Sequence, residues 1–461
     1  MKDLLTKINN NAIQKFGAQY SEARAQRLFK TMLTLKEERV EAAKQGIENG
    51  VALRVIVNGA WGFASVGSFD TLILESAISE ACKMAKTASA RLKSPIKLAE
   101  VKPVTDRVES KPKKNPKDVS MEDKIKTALT INKTGLSVDN RVKSCTVDYC
   151  DLTGSTFFVN SDGASIEQDK LYVWARITAS AKTGSVFTFS RDEVGSTAGY
   201  EVFDVQPPEE IGKKVAKRAV DQLKAKPLKG GKYPVVLGPN VVGVFVHEAF
   251  GHLAEADLVL SGGVLAGNVG KKLGSDLVTF YDDGTIEGSF GAFKYDDEGV
   301  QSQKTLLIKN GVVAGFMHNR ETAQKFNCQP TGNARAEDFR VEPIIRMRCT
   351  YMEPKDHNFE ELIEKVKLGY YFKSFRGGQA NFDGTFQVGI QEGFEIVNGE
   401  IGAAVRDASI SGNALETLHK VEAVGKDFAL DPGRCGKGQT AFICDGGPHI
   451  MVKEVIVGGS A

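Results

Sequence analysis

The residues of this sequence most suited to chemistry are two histidines in one short window, VFVHEAFGHLAEAD. Imidazole is a common zinc ligand, and His247-Glu248-x-x-x-His252 is a near relative of the zinc signature HExxH. In that signature the histidines are four residues apart, so both rings point to one side of a helix. Here the spacing is five residues, about 140° on an ideal helix, which would point the rings apart.

A locally widened helix would bring the two rings back together. A π turn pairs residue i with residue i+5, and such turns are frequent at functional sites. Gly251, just before His252, lowers the steric barrier to this distortion. The spacing therefore predicts a π turn between the histidines. Glu248, beside the first of them, would then act as a general base on a water bound to the metal.

The same window also has a purely structural interpretation, in which a buried helix carries two histidines that are satisfied within the core. The apolar run before His247 is compatible with that interpretation. It also suits a buried ligand helix, however, and the whole chain contains only six histidines. In addition, Glu255 and Asp257 follow closely as possible ligands or as groups that hold the ligands. These observations together favour a metal site.

A catalytic zinc site needs a third protein ligand besides two histidines. Glu255 is three residues after His252, so it would lie on the same helical face. Cys435, in DPGRCGKGQT, is flanked by glycines that leave the backbone free to present a thiolate, a good zinc ligand. A lone cysteine can also be a small buried hydrophobic residue. The spacing alone leaves the choice between Glu255 and Cys435 open.

Composition limits the classes of protein that the chain can represent. Its 461 residues predict two or three domains, and 60 basic against 58 acidic residues give no electrostatic reason to expect nucleic acid or a membrane surface as a partner. No run of 18 apolar residues predicts a transmembrane helix, and the N-terminus reads as an amphipathic helix, not a signal peptide. The seven scattered cysteines, without a CxxC pair, predict a reducing, cytoplasmic compartment.

The hydrophobic patterns around the candidate residues predict a mixture of strands and helices. The predicted elements are strands over 19–66, a helix over 69–90 with Asp70 or Ser68 as its N-cap, an exposed Lys- and Pro-rich linker near 91–119, helices over 120–133 and 208–225, and an antiparallel meander over 141–202. KPLKGGKYP predicts a domain boundary, followed by an apolar strand and one helix, NVVGVFVHEAFGHLAEADLVL, that carries both histidines.

Several longer motifs occur in a fixed order after HEAFGHLAEAD. They are YDDGT (281–285), DDEGV (296–300), LLIKNGVVAGFM, PTGNARAEDFR (330–340), RGGQANFDGTF (376–386) and RCGKGQ (434–439). Independent motifs in the right order are far more specific than HExxxH alone. Over nearly its whole second half, and in the layout of its first half, the sequence resembles the TldD/PmbA family of metalloproteases, once described as modulators of DNA gyrase.

TldD-type members of that family carry HExxxH and a cysteine near the C-terminus as zinc ligands, whereas PmbA-type members lack the histidine motif. The resemblance therefore implies a TldD-type chain with zinc as its cofactor. It also implies His247, His252 and Cys435 as the metal ligands and Glu248 as the catalytic base. On the same ground Cys435 is preferred to Glu255 as the third ligand.

The resemblance also implies an overall architecture and an activity. The expected fold class is α+β, with an N-terminal α/β domain of antiparallel strands and helices over 1–228 and a β-rich C-terminal domain over 229–461 that carries the HExxxH helix. The expected protein is a dimer, either a homodimer or a pair with a PmbA-like partner subunit, that cleaves unfolded peptides in an enclosed cavity. The alternative is a non-catalytic subunit that binds and regulates a partner, as the gyrase-modulator description suggests.

Five further polar residues are candidates for supporting or substrate-contacting roles. Glu255 and Asp257 are candidates for supporting the metal ligands. Asn333, Arg335 and Gln379 lie in glycine-rich segments that match the family, where contact with substrate backbone and a role in turns or packing are equally compatible with the sequence.

Overall fold

A computed structural model describes residues 1–381 and 383–459 as a mixed α+β fold, which confirms the predicted fold class. Phe382, within the motif RGGQANFDGTF, and residues 460–461 lie outside the described part of the chain. None of the helices within the described ranges combines the length and the apolar composition that a bilayer crossing requires.

The N-terminal half contains, in chain order, α1 (Lys2–Phe16), β1 (Tyr20–Lys36), β2 (Arg39–Val57), β3 (Ala60–Val66), α2 (Thr71–Ser89), β4 (Thr105–Val108), α3 (Met121–Ser137), β5 (Val142–Asn160), β6 (Ser165–Thr183), β7 (Val186–Ser196), α4 (Val202–Val205) and α5 (Pro208–Gln222). The C-terminal half contains β8 (Lys226–Pro227), β9 (Gly231–Leu237), α6 (Pro239–Val246), α7 (Ala256–Leu260), β10 (Phe280–Asp283), β11 (Lys304–Lys309), β12 (Val312–Val313), α8 (Arg320–Phe326), β13 (Ala334–Arg335), β14 (Ile344–Ile345), β15 (Cys349–Met352), α9 (Phe359–Glu364), β16 (Leu368–Ala380), β17 (Thr385–Val397), β18 (Glu400–Arg406), β19 (Ser409–Asn413), α10 (Ala414–His419), β20 (Val421–Val424), β21 (Ala429–Gly436), β22 (Thr440–Gly447) and β23 (Ile450–Gly458).

The N-terminal half is built on one sheet in the order β3-β2-β1-β5-β6-β4, with β7 paired to β6. The meander predicted over 141–202 is confirmed, because β5, β6 and β7 are successive antiparallel neighbours. Helices α1 and α2 pack on the strands at one end of the sheet, and α3 and α5 pack on those at the other. Asp70 caps α2, as predicted, because its carboxylate accepts hydrogen bonds from the backbone N–H groups of Leu72 and Ile73.

The segment 91–119, predicted as an exposed linker, is mostly exposed but is not without structure. Its strand β4 extends the sheet by pairing in parallel with β6. The backbone N–H of Ala99 donates a hydrogen bond to the carbonyl of Arg320 in the other half of the chain. The segment therefore also connects the two halves, and the proposed domain boundary at 228/229 stays a prediction.

Two groups of strands in the C-terminal half position the helix that carries the histidines. Strands β16, β9, β23, β19 and β17 pair in a closed circuit, because β17 returns to pair with β16. A second sheet runs in the order β12-β11-β10-β15-β22-β21. Helix α6 lies between the two groups, in contact with β16 of the first and β22 of the second, and its valines belong to the main apolar cluster of this half. This packing holds the end of α6 against the β21–β22 hairpin, which carries Cys435.

A buried ion network joins the N-terminal sheet to the C-terminal half. Arg54 on β2 donates hydrogen bonds to Glu22, at 2.7 Å, and to Glu298 of the C-terminal half, at 2.6 Å. All three side chains are at least nine-tenths buried. Arg320 crosses between the halves in the same region by donating to the Tyr20 hydroxyl at 3.1 Å and to Asp162 at 2.8 Å.

Candidate metal centre

The helix that carries the two histidines widens where the sequence predicts it. Helix α6 is regular as far as Val246, and a π turn follows over His247–Gly251. The backbone N–H of His252 donates to the carbonyl of His247, which is the i to i+5 hydrogen bond of a π turn. The imidazole rings of His247 and His252 consequently lie with their centres 5.0 Å apart. The predicted π turn is therefore confirmed.

The physical reason for Gly251 differs from the one predicted. Its backbone angles, φ −54° and ψ −54°, are ordinary helical values that any residue adopts. A Cβ at this position would lie 2.2 Å from the sulfur of Met347, far inside van der Waals contact. Gly251 is thus required by the space that Met347 occupies and not by backbone freedom.

The segment 240–260, predicted as one continuous helix, is broken at Glu255. After the π turn comes a short 3-10 turn, His252–Ala254, and Glu255 then adopts an extended conformation (φ −75°, ψ 117°) before α7 begins. The break brings the fully buried Glu255 carboxylate back to His252, where Oε2 lies 3.0 Å from Nδ1. Glu255 therefore holds the His252 ring through its Nδ1 atom.

Cys435 reaches the histidines from β21, far along the chain. Its Sγ lies 3.1 Å from Nε2 of His252, and one donor atom from each of His247, His252 and Cys435 falls within 4.8 Å of the others. Burial by itself would raise the pKa of the Cys435 thiol, but the two histidines lower it to about 4. A thiolate is therefore available beside two imidazoles.

This donor set fits zinc, which binds Cys thiolate and His nitrogen and keeps a fourth position open in catalytic sites. His247 is 3% exposed, and its Nδ1 has no hydrogen-bond partner among the described residues. A buried imidazole nitrogen without a partner is costly, and metal ligation or a hydrogen bond that accompanies ligation would satisfy the ring. His247, His252 and Cys435 would hold the ion.

Two basic residues connect the cysteine strand to the histidine segment. The ammonium of Lys437 lies 3.0 Å from Oε2 of Glu255 and donates to Asp257 at 2.7 Å. Arg346, which is 1% exposed, donates at 2.8 Å to the carbonyl of Cys435, and its Nε lies 4.0 Å from Glu255. Burial opposes the ionisation of Glu255, yet His252, Lys437 and Arg346 lower its pKa. The carboxylate thus stays charged behind the His252 ring.

The sequence did not single out Lys437 or Arg346, although Lys437 lies in the motif RCGKGQ. A basic residue two positions after a candidate thiolate ligand was an available signal, because the buried acids nearby need a positive partner. Asp257, considered as a supporting group, contacts Lys437 and reaches His252 only through it and Glu255. No comparable signal pointed to Arg346, whose role depends on tertiary contacts.

Glu248 is half-buried on the wall of a cavity of about 1040 Å³ that also includes His247, His252 and Cys435. Its Cγ lies 3.4 Å from the place where a Cβ of Gly378 would be, so the two residues are neighbours on the same cavity wall. A carboxylate on the cavity wall beside the donor set has access to water and to a bound substrate.

The three remaining candidate residues separate into two groups. Asn333 is buried and donates to Asp282 at 2.7 Å, and Arg335 is buried and donates to the carbonyls of Met347 at 2.7 Å and Phe442 at 2.6 Å. Both make packing contacts of the kind that the sequence also allowed. Gln379 lies on the cavity wall in the glycine-rich end of β16.

Comparisons with known proteins identify the family to which this chain belongs. Three domain profiles of one family match the chain: PmbA/TldA metallopeptidase domain 1 over residues 21–88, the central domain over 114–223 and the C-terminal domain over 230–459. The three matched segments together cover most of the chain and define its class as that of a metallopeptidase-type protein. The chain belongs to the PmbA/TldA metallopeptidase family.

Individual relatives extend over nearly the whole chain. A metalloprotease of Methanothermobacter thermautotrophicus is 38% identical over 445 residues, 96% of each chain. A zinc metalloprotease TldD homolog of Saccharolobus solfataricus is 34% identical over 448 residues, 97% of this chain and 98% of the relative. Among solved structures, TldE from Thermococcus kodakarensis has a TM-score of 0.78 at 23% identity and covers 100% of both chains. That likeness shows the shared fold.

Proposed function

We propose that this chain is a zinc-dependent peptidase in which His247, His252 and Cys435 bind the metal and Glu248 is the general base. The observation that carries the proposal is the convergence of three donor atoms within 4.8 Å of one another on the wall of a large cavity. When bound, zinc would polarise the scissile carbonyl and lower the pKa of a water molecule.

Glu248 performs the proton transfers in this proposal. It follows His247 directly, and its half-buried carboxylate faces the cavity and not the fully buried packing behind α6. From there it takes a proton from the attacking water and passes it to the amine that leaves. Glu255 cannot share this task, because it is completely buried and already bound to His252 and Lys437.

The substrates in this proposal are unfolded or extended peptides. The cavity walls come from both halves of the chain, with β7 and α5 on one side and β16 and β21 on the other. A volume of about 1040 Å³ accommodates a few residues of extended chain and excludes a folded domain. Restricting cleavage to unfolded chains would protect folded proteins from a peptidase of broad sequence tolerance.

We further propose that the active species is a dimer, formed with a second copy or with a PmbA-like subunit, and that it works in the cytoplasm. Family membership supports the first statement, and the second is supported by the seven cysteines, which are all free thiols in the described chain. Light scattering of the purified protein, with and without a PmbA-like subunit, measures the association. A monomer with full peptidase activity would contradict the proposed dimer.

The decisive experiment measures zinc content and hydrolysis in the same preparation. We expect about one zinc per chain and cleavage of a stable protein only after it has been unfolded. Cys435→Ser is expected to lose most of the zinc and the activity, because a hydroxyl is a poor substitute for a thiolate. Cys328→Ser is the matched control, since Cys328 is exposed and lies outside the cavity.

Two outcomes would reject the proposal. Equal cleavage of the folded and the unfolded protein would contradict the proposed restriction to unfolded chains. Zinc-free protein, or zinc-loaded protein that hydrolyses no peptide in any association state, would favour the non-catalytic regulatory subunit instead.

A further inference from the structure

A buried imidazole nitrogen and a buried carboxylate lie near the proposed metal centre, and the nitrogen has no hydrogen-bond partner within the described residues. One is Nδ1 of His247, the nitrogen noted above. The other is the carboxylate of Asp445, a residue that is 8% exposed and lies on the cavity wall. Buried groups of this kind are expensive unless they are paired, so each needs an explanation.

Asp445 lies on the same face of the β21–β22 hairpin as Cys435. In the antiparallel register Cys435 faces Ala441 and Asp431 faces Asp445. Side chains alternate along a strand, and residues directly opposite each other share a face. The side chain of Asp445 therefore points towards α6. It lies on the same face as the Cys435 thiolate but at a different position along the hairpin.

A glycine in α6 allows the Asp445 carboxylate to approach the helix. A Cβ at Gly243 would lie only 2.5 Å from Oδ1 of Asp445, so the carboxylate is packed directly against the helix at this position. Gly243 is four residues before His247, which places both residues on one helical face. Side chains on a helix lean towards its N-terminus, so the His247 side chain is expected to extend towards the turn of Gly243, where Asp445 is packed.

The electrostatics are consistent with this neighbourhood. Burial raises the pKa of Asp445 to about 7, and the charge of His247 is the main influence that lowers it. His252 has a comparable arrangement, since Glu255 lies 3.0 Å from its Nδ1. A carboxylate behind each ligating histidine is a common way to fix the tautomer and the orientation of the ring.

We propose that Asp445 is a positioning residue for His247: in the zinc-loaded protein it accepts a hydrogen bond from Nδ1–H and thereby directs Nε2 to the metal. This inference rests on the metal site of the proposed function. Gly243 belongs to the same arrangement, because any side chain at that position would displace the carboxylate.

The first test is the dissociation constant for zinc, measured by competition with a chelator. Asp445→Ala removes the acceptor and is expected to weaken zinc binding by about 10- to 100-fold. Asp445→Asn keeps the shape and one acceptor but removes the charge, so a smaller loss is expected. The matched control is Asp431→Asn, because Asp431 faces Asp445 across the hairpin but bonds to Asn240 on α6. Its zinc affinity should stay within twofold of wild type.

The second test observes the ring itself. With only six histidines in the chain, ¹⁵N-histidine NMR of the zinc-loaded protein can resolve single rings. We expect a hydrogen-bonded Nδ1–H on His247 that Asp445→Asn shifts, while the His252 signals remain in place. A packing role alone would lower the stability of the metal-free protein without moving this resonance.

The inference is overturned if both Asp445 variants bind zinc within twofold of wild type, or if the His247 resonance is unchanged in Asp445→Asn. The isosteric Asn variant keeps the test valid if the Ala variant does not fold. A protein that shows these zinc and NMR effects but hydrolyses no peptide would reject the proposed function and leave the role of Asp445 standing.

Discussion

Two of the three donor groups of the candidate centre, those of His252 and Cys435, are held by a neighbouring residue. Glu255 fixes the ring of His252, and Lys437 compensates the charge of Glu255. Arg346 holds the backbone of Cys435 from the other side. A few angstroms of displacement in any of these would separate the three donor atoms, so the site relies on pairing buried charges and not on the ligands alone.

Glu248→Gln tests whether that residue is the base without disturbing its shape. The variant is expected to keep near-normal zinc, because Glu248 is outside the group of converging donor atoms. It should lose peptide hydrolysis by about 10²- to 10⁴-fold, the usual contribution of a general base. Hydrolysis rate and metal content are measured on the same preparation. Activity within tenfold of wild type would assign the base elsewhere, and joint loss of zinc would make Glu248 a ligand.

His318 predicts part of the pH dependence of stability. It is 4% exposed, and burial lowers its pKa from 6.5 to about 4. The folded state therefore favours the neutral His318 ring. The stability that this preference contributes is fully present above pH 6.5 and is lost as the pH falls from 6.5 towards 4. His318→Gln should reduce the loss of unfolding free energy between pH 7.5 and pH 4.5 by about 2–3 kcal/mol.

Urea titrations at the two pH values measure this difference. His419→Gln is the control, because His419 is exposed, and it should follow the pH dependence of wild type. Parallel behaviour of His318→Gln and wild type would show that His318 does not titrate in this range.

At the scale of elements, the π turn determines whether two histidines five residues apart can serve one ion. The turn is stabilised by packing, since α6 is held between β16 and β22, and Met347 fills the space beside Gly251. A regular helix with the same sequence would separate the rings by about 140°. The widened turn and the break at Glu255 together place both histidines and their supporting carboxylate at one point.

Gly251→Ala is predicted to disturb this turn through overpacking. The added methyl group would lie 2.2 Å from the sulfur of Met347, so the turn or the methionine must move. We expect a loss of about 1–3 kcal/mol in unfolding free energy and reduced zinc affinity. The matched control is Gly436→Ala, where an added Cβ meets no atom within 4 Å and the stability should be unchanged. A Gly251→Ala variant with wild-type stability and zinc content would contradict this account of the turn.

At the scale of the whole molecule, the two halves are joined by buried charges as well as by the linker. The cavity is lined by both halves, so a change in their relative position would alter the space in front of Glu248. Arg54 helps to hold the two halves together because it pairs with Glu22 in its own half and with Glu298 in the other half. The geometry in front of the candidate centre therefore depends on contacts distant from it.

Arg54→Ala is expected to destabilise the folded chain strongly. It would leave the buried carboxylates of Glu22 and Glu298 without a cation, which typically costs about 3–5 kcal/mol. Chemical unfolding measures this cost. Lys83→Ala is the comparison, since Lys83 pairs with Glu80 on the surface and should change stability by less than about 0.5 kcal/mol. Equal effects of the two variants would mean that the buried network does not hold the halves together.

Local sequence patterns determined much of the architecture. The antiparallel meander, the cap at Asp70 and the π turn were all predictable, because the signal for each is a local pattern of neighbouring residues, although distant packing also holds the π turn in place. The candidate residues were also recognisable by type and order. Residue spacing left the third ligand open, and the tertiary structure brings Cys435 to His252 across 183 residues while Glu255 contacts the other nitrogen of the same ring.

The tertiary structure also decided what several residues do. Gly251 is required by the sulfur of Met347, and Glu255 reaches His252 because the chain is broken there. Lys437 acts on the centre through partners that no spacing rule connects to it. Such roles depend on which surfaces the packed sheets bring together, and a pattern of neighbouring residues in one sequence carries no information about contacts of that range.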